Sequence, residues 1–301
     1  MSTETNDVVD PAGQQGGAEA GAFDRAVTAT PDPERPGHYR AALSNDWSIG
    51  NALNGGFLLA LLGRTLQRSL AAAGSLHPDP VSISATYLSA AVEGPAYLDT
   101  EVIRTGRAVS TGQVALTQEV DGVPVERLRA TATYADLTRL ADEDPQRNLL
   151  TRTMPELAPP EECWGKEQAP PGFLDLVPLQ KQLDVRMTPD TVGWIDGKPT
   201  GEGRISAWFR MPDGRDPDPI LMLMVLDCLP PVTFNLDLPG WAPTLSLMAN
   251  VRARPVPGWL LVTHETRMLS NGLFEEDAEI WDASGTLVAQ SRQLAMIPKR
   301  G

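Results

Sequence analysis

Asp227 follows seven consecutive apolar residues, Ile220–Leu226, and is followed by Cys228-Leu229-Pro230-Pro231. A carboxylate at the end of an apolar helix costs several kcal/mol when it is buried without a partner. It must therefore be solvated at the helix terminus, paired with donors, or kept for chemistry. Thr244 begins a strand candidate whose apolar set is Leu245, Leu247, Ala249 and Val251. Period-two alternation puts Thr244 on the other face, with Ser246, Met248 and Asn250. Threonine is also ordinary at a strand start, where its branched side chain suits both strand and turn. Gln293 shares a face with Ala289, Ser291, Ala295 and Ile297, and an amide among small and apolar neighbours needs a hydrogen-bond partner. A half-exposed edge position or a backbone group also meets that need. A carboxylate, a hydroxyl and an amide that converge can take a proton from water and hold that water in place.

The elements that must position these residues are written twice. Arg104–Tyr134 and Glu265–Ile297 both run strand, turn, strand, turn, strand. The turns Asp121-Gly122 and Ser284-Gly285 fall at matching places, and Arg129 and Arg292 follow each at the same distance. An apolar helix-like run precedes each set, Leu53–Leu66 (continuing to Leu70) and Ile220–Leu229. The first is apolar on most faces, so something must wrap it. Val81–Leu88, Ala96–Thr105, Gly112–Glu119 and Arg127–Asp136 carry the β-type patterns to do so. The expected organisation is a tail over 1–21, one α+β unit over 22–137, a Pro-rich acidic linker over 138–174, and a second unit over 175–298. On this alignment Val81 stands where the second copy has Thr244, and Ala130 where it has Gln293. The first copy lacks the polar set.

Two apolar helices, each wrapped by a curled antiparallel sheet, resemble the double hotdog fold. The residues resemble the acyl-CoA thioesterase II family. In the first half the likeness rests on Asn54-Gly55-Gly56-Phe57, His77-Pro78-Asp79-Pro80 and the hairpin from Arg104 through Arg107 to Thr111. In the second half it rests on Leu226-Asp227, Pro243-Thr244-Leu245, Arg252-Ala253-Arg254-Pro255 and Val288–Gln293. The resemblance implies an α+β tandem double hotdog that hydrolyses an acyl-CoA thioester to free acid and CoA. It places Asp227, Thr244 and Gln293 on the family's catalytic trio. Asp227 would accept a proton from water, and Thr244 and Gln293 would fix that water. A thioester carbonyl is electrophilic enough for this without a serine triad. The Gly55-Gly56 turn would supply backbone N–H donors to the oxyanion, and Arg104 and Arg107 would meet the CoA phosphates. Ser246 and Asn250 depart from the family pattern, which often has an acidic residue and a histidine there. An acyl-thioester-binding protein without turnover is the alternative reading, with a hotdog dehydratase ranked behind it.

Other chemistries lack their residues. No Gly-x-Ser-x-Gly elbow, phosphate loop or dinucleotide fingerprint occurs. The three histidines, His38, His77 and His264, form no metal-type pair, and the Gly-Asp-x-Asn-Pro-x-His run of hotdog dehydratases is absent. A formal charge of −14 argues against a nucleic acid or an anionic membrane as partner. No apolar run approaches a membrane span. Two cysteines, no basic or apolar leader and an acidic Gly-rich start point to a cytoplasmic protein; two cysteines cannot make a metal site alone, and no cofactor is expected beyond the CoA of the substrate. Open sheet edges point to a homodimer, as in relatives.

Overall fold

The computed structural model describes residues 20–143 and 151–298. The expected tail, apart from its last two residues, and the part of the expected linker over 144–150 lie outside the described residues. In chain order the first half contains α1 (Ala22–Ala26), β1 (Thr30–Pro31), β2 (His38–Leu43), β3 (Ser48–Ile49), β4 (Ala52–Leu53) and α2 (Gly55–Ala72). These lead into β5 (Asp79–Tyr87), β6 (Gly94–Thr105), β7 (Ser110–Val120), β8 (Val123–Ala135) and α3 (Leu137–Glu143). The second half holds α4 (Phe173–Leu176), β9 (Asp184–Met187), β10 (Arg204–Arg210), α5 (Pro219–Val225) and β11 (Thr244–Val251). It ends with β12 (Leu260–Glu265), β13 (Leu269–Ser270), β14 (Leu273–Trp281) and β15 (Leu287–Met296).

Among the described residues thirteen strands form one open antiparallel sheet in the order β1-β2-β6-β7-β8-β5-β11-β15-β14-β12-β10-β9, with β13 paired to β14. The halves join where β5 meets β11, with Leu247 opposite Ala85 and Ala249 opposite Ile83. Helix α2 lies against β5, β6, β7 and β8 on one side and α5 on the other. That double contact is why it is apolar nearly all round: Phe57 through Leu62 are buried without a break. Asn54 caps its start by accepting a hydrogen bond from the Phe57 N–H at 2.8 Å.

Helix α5 is shorter than its apolar run suggests. Asp218 caps it from the Leu221 N–H at 2.7 Å, with Pro219 in the first turn. It ends at Val225, and the Asp227 N–H closes a tighter turn onto the Met224 carbonyl ahead of Pro230-Pro231. The Pro-rich stretch is also more than a spacer from Ala158 onward. Trp208 Nε1 donates to the Ala158 carbonyl at 2.8 Å, and Trp164 exchanges both backbone hydrogen bonds with Met187 of β9. It thereby covers the far end of the sheet.

The sheet contains the same irregularity twice. Pairing of β5 with β8 shifts between Pro80 and Ser82, and pairing of β11 with β15 shifts between Thr244 and Ser246. In each case one residue, Val81 or Leu245, is left without an opposite number. A bulge of this kind changes the face on which preceding residues lie.

Candidate functional site

Asp227 is half-buried where the end of α5 meets the start of α2. The Gly56 N–H donates to its Oδ2 at 2.8 Å, and Asn54 Nδ2 donates to its backbone carbonyl at 2.8 Å. The Tyr87 hydroxyl donates to the Gly55 carbonyl at 2.9 Å, closing the third side. Both glycines lie where the chain is crowded, Gly55 against side chains and Gly56 against backbone. A Cβ on Gly55 would lie 2.8 Å from Asp227 Oδ2, and one on Gly56 would lie 2.5 Å from the Met224 carbonyl oxygen. Burial pushes the Asp227 carboxyl up to about 7, with a further rise from the Glu276 carboxylate; His264 and the Gly56 N–H act the other way. The same burial, and Asp227 itself, push the Tyr87 phenol well above its usual range.

Thr244 and Gln293 come together. The Thr244 hydroxyl donates to Gln293 Oε1 at 2.7 Å, and Gln293 Nε2 donates to Glu276 Oε1 at 2.5 Å. Glu276 Oε2 accepts from the Val232 N–H at 2.9 Å, which ties the loop after Asp227 to β14. His264 of β12 has Nδ1 3.1 Å from Glu276 Oε1, without the alignment of a hydrogen bond. Glu276 and His264 are both almost fully buried. No hydrogen bond joins Asp227 directly to Thr244 or Gln293 among the described residues; Glu276 is the group that faces both.

No motif in the sequence marks Glu276, and His264 lacks the neighbouring ligand residues that would mark it as a metal site. A signal existed: Glu276 alternates with Phe274, Ala278 and Ile280 on the buried face of β14. A carboxylate on such a face needs donors, by the argument applied to Asp227.

The bulge corrects two strand readings. Thr244 lies opposite Ala295 and reaches Gln293, so it stands on the inner face with Leu247 and not beside Ser246, Met248 and Asn250. The departures at Ser246 and Asn250 therefore do not share its face. The bulge also resets the comparison between copies. Matched through their pairings, Thr244 corresponds to Pro80 rather than Val81, and Gln293 to Ala132 rather than Ala130. Glu276 then corresponds to Gly112, and Arg129 to Gln290 rather than Arg292. The first half still lacks every member of the polar set.

Residues 43–135 match the family model described as the acyl-CoA thioesterase N-terminal domain, and residues 156–297 match the acyl-CoA thioesterase C-terminal domain. The chain belongs to the acyl-CoA thioesterase family. It is a thioester hydrolase with the hotdog fold. An uncharacterised protein of Mycobacterium tuberculosis is 33% identical over 301 residues, covering 92% of this chain and 98% of that one. A crystal structure of a candidate thioesterase II from Thermobifida fusca is 30% identical, with a TM-score of 0.79 over 94% of this chain and 100% of that one. A hot dog fold protein of unknown function from Alicyclobacillus acidocaldarius, 18% identical, has a TM-score of 0.75 over 94% of this chain and 100% of its own.

Other residues expected at the thioesterase site lie elsewhere or have a different task. The Gly56 N–H is occupied by Asp227, so it holds the carboxylate rather than an oxyanion. The Gly55 N–H opens α2 and, as a first-turn amide, has no intrahelical acceptor. Arg104 and Arg107 are exposed in the β6–β7 hairpin, beside His77 and Ser110. That hairpin lies at the C-terminal end of α2, about 27 Å along an 18-residue helix from the Gly55 end. Neither arginine is in an ion pair among the described residues. Arg254 is paired with the buried Asp79 at 2.7 Å, and Arg252 donates to Gln290 Oε1 at 3.3 Å. No helix among the described residues is long and apolar enough to cross a membrane.

Proposed function

We propose that this thioesterase hydrolyses acyl-CoA to free acid and CoA, with Asp227 as general base and Thr244 and Gln293 as the groups that orient the attacking water. The observation that carries this reading is the directed chain Thr244 to Gln293 to Glu276 beside a carboxyl pushed up to about 7. An ionised carboxylate only accepts, so Gln293 must present its amide N–H to Glu276 and its carbonyl to Thr244. Thr244 then donates to Gln293 and keeps its oxygen lone pairs for a water proton. Water that gives one proton to Asp227 and one hydrogen bond to Thr244 has its own lone pair left for the thioester carbonyl. Attack forms a C–O bond as the proton passes to Asp227; collapse breaks the C–S bond, and Asp227 returns that proton to the departing thiolate, which leaves as the CoA thiol. A base near pH 7 combines a useful ionised fraction with basicity, the balance expected of such catalysts. The Gly55 N–H, at a helix start, is suited to the developing oxyanion.

In this reading residues 22–137 and 175–298 act as two hotdog units and only the second carries the reacting set. The protein works in the cytoplasm, where its two free, buried cysteines stay reduced, and needs no cofactor. Pairing through the sheet edge at β1, the end that the Pro-rich stretch does not cover, gives a homodimer. Arg104 and Arg107 remain assigned to the CoA phosphates on charge and exposure alone. The deciding experiment measures thiol release from short, long, branched and aromatic acyl-CoAs. Release from at least one class is expected. Tight binding with no release from any of them replaces hydrolysis with the binding-protein reading.

A further inference from the structure

Glu276 is almost fully buried on β14, accepts from Gln293 and from the Val232 N–H, and has no arginine or lysine partner among the described residues. A structural role alone is met by an apolar residue more cheaply than by a buried carboxylate. The matching position in the first half is Gly112, packed against Leu66, so the fold does not require an acid there. The acid occurs only in the copy that carries Thr244 and Gln293.

We propose that Glu276 is a positioning residue for hydrolysis: it fixes the Gln293 amide in one of its two orientations and so fixes the direction of the Thr244 hydroxyl. Reversed, the amide would point its carbonyl oxygen at the carboxylate, oxygen against oxygen. With Glu276 in place, Thr244 must donate to Gln293 and accept from water, and Gln293 keeps one N–H for a ligand. This rests on the reading of Asp227, Thr244 and Gln293 as the reacting set.

The same carboxylate has a second effect. The groups facing Asp227 are Glu276 from β14, His264 from β12, Tyr87 from β5 and its neighbour Cys228. Among them Glu276 opposes ionisation of Asp227 and His264 favours it. Removing the Glu276 charge therefore lowers the pH at which Asp227 becomes a base. That shift reports the charge of Glu276, whereas a fall in kcat at little-changed KM reports its hold on Gln293.

The test uses the full chain, its Glu276→Gln and Glu276→Asp variants, and protein carrying 13C-labelled aspartate, with the Asp227 signal assigned through Asp227→Asn. Glutamine has one acceptor oxygen for two donors, so Gln293 or Val232 loses its bond. In Glu276→Gln, kcat falls roughly tenfold or more, the scale of a misplaced reacting group. KM changes little, and the Asp227 titration midpoint moves to lower pH. Glu276→Asp keeps the charge, so the midpoint stays near wild type, while kcat falls because the shorter side chain no longer reaches Gln293. A folded Glu276→Gln with wild-type kcat and an unmoved Asp227 midpoint overturns the proposal. If that variant does not fold, wild-type kcat in Glu276→Asp overturns it. If the unmodified protein releases no thiol from any acyl-CoA, the hydrolase reading fails, and the role of Glu276 in hydrolysis fails with it.

Discussion

The Gly56 N–H and Asp227 Oδ2 are 2.8 Å apart, although 171 residues separate them in the chain. The first half, which has no counterpart of Thr244, Gln293 or Glu276, thus supplies a donor that holds the proposed base of the second. That contact exists because α2 and α5 approach closely enough for a Gly56 Cβ to meet the Met224 carbonyl at 2.5 Å.

Replacing Gly56 with alanine should therefore impair both stability and turnover. The added methyl meets backbone, which cannot rotate away, so α2 and α5 must separate. Overpacking of this kind costs about 1–3 kcal/mol. Denaturant melts should show a lower midpoint, and kcat should fall because Asp227 loses its fixed donor. A stable, fully active Gly56→Ala would mean that the close approach is not needed.

Turnover should follow the ionisation of Asp227. With its carboxyl pushed up to about 7, kcat/KM should rise with pH through about 7 and level off above it. Below that value it should fall about tenfold per pH unit. Asp227→Asn keeps the shape but accepts no proton, so turnover should drop about 10²-fold or more and the acid limb should disappear. A variant that hydrolyses at the wild-type rate removes Asp227 from the mechanism.

The same carboxyl opposes stability at high pH. Its folded value lies above the ordinary 3.8, so below pH 3.8 both folded and unfolded chains hold the proton and nothing is gained or lost. Between 3.8 and about 7 the unfolded chain releases its proton first, and stability falls as pH rises. Above about 7 the full penalty stands, of the order of a few kcal/mol. Asp227→Asn should accordingly be more stable than wild type at pH 8, with the difference shrinking toward pH 4. Chemical denaturation of both proteins at the two pH values measures this directly.

Thr244→Val and Gln293→Ala should each slow hydrolysis while the fold survives, since the first half folds with Pro80 and Ala132 at these places. Their effects should not add, because one hydrogen-bonded chain serves one water. A double variant whose loss equals the product of the single losses would show that the two residues act separately.

Much of the architecture was legible in the chain because it depends on local periodicity. The two meanders and the apolar wrapping of α2 follow from alternation and from a helix with no polar face. Asp227 stood out because a carboxylate after seven apolar residues has few physical options. Period-two counting failed at Leu245, because a bulge adds a residue without leaving a distinctive residue type behind. That one insertion moved Thr244 to the inner face and shifted the match between the copies. The end of α5 was misplaced because the turn at Met224–Asp227 precedes the prolines that announce it.

What only the tertiary structure decided are the contacts between distant segments. Arg104 and Arg107 match the motif, but the length of α2 separates their hairpin from Asp227. Gly55 and Gly56 read as a turn, yet their neighbour is a carboxylate from the other half, and no local pattern encodes that. Glu276 lay within reach of the alternation argument but acquired meaning only beside Gln293 and Asp227. Side-chain chemistry is local, whereas the pKa of a buried acid is set by whatever the fold brings against it.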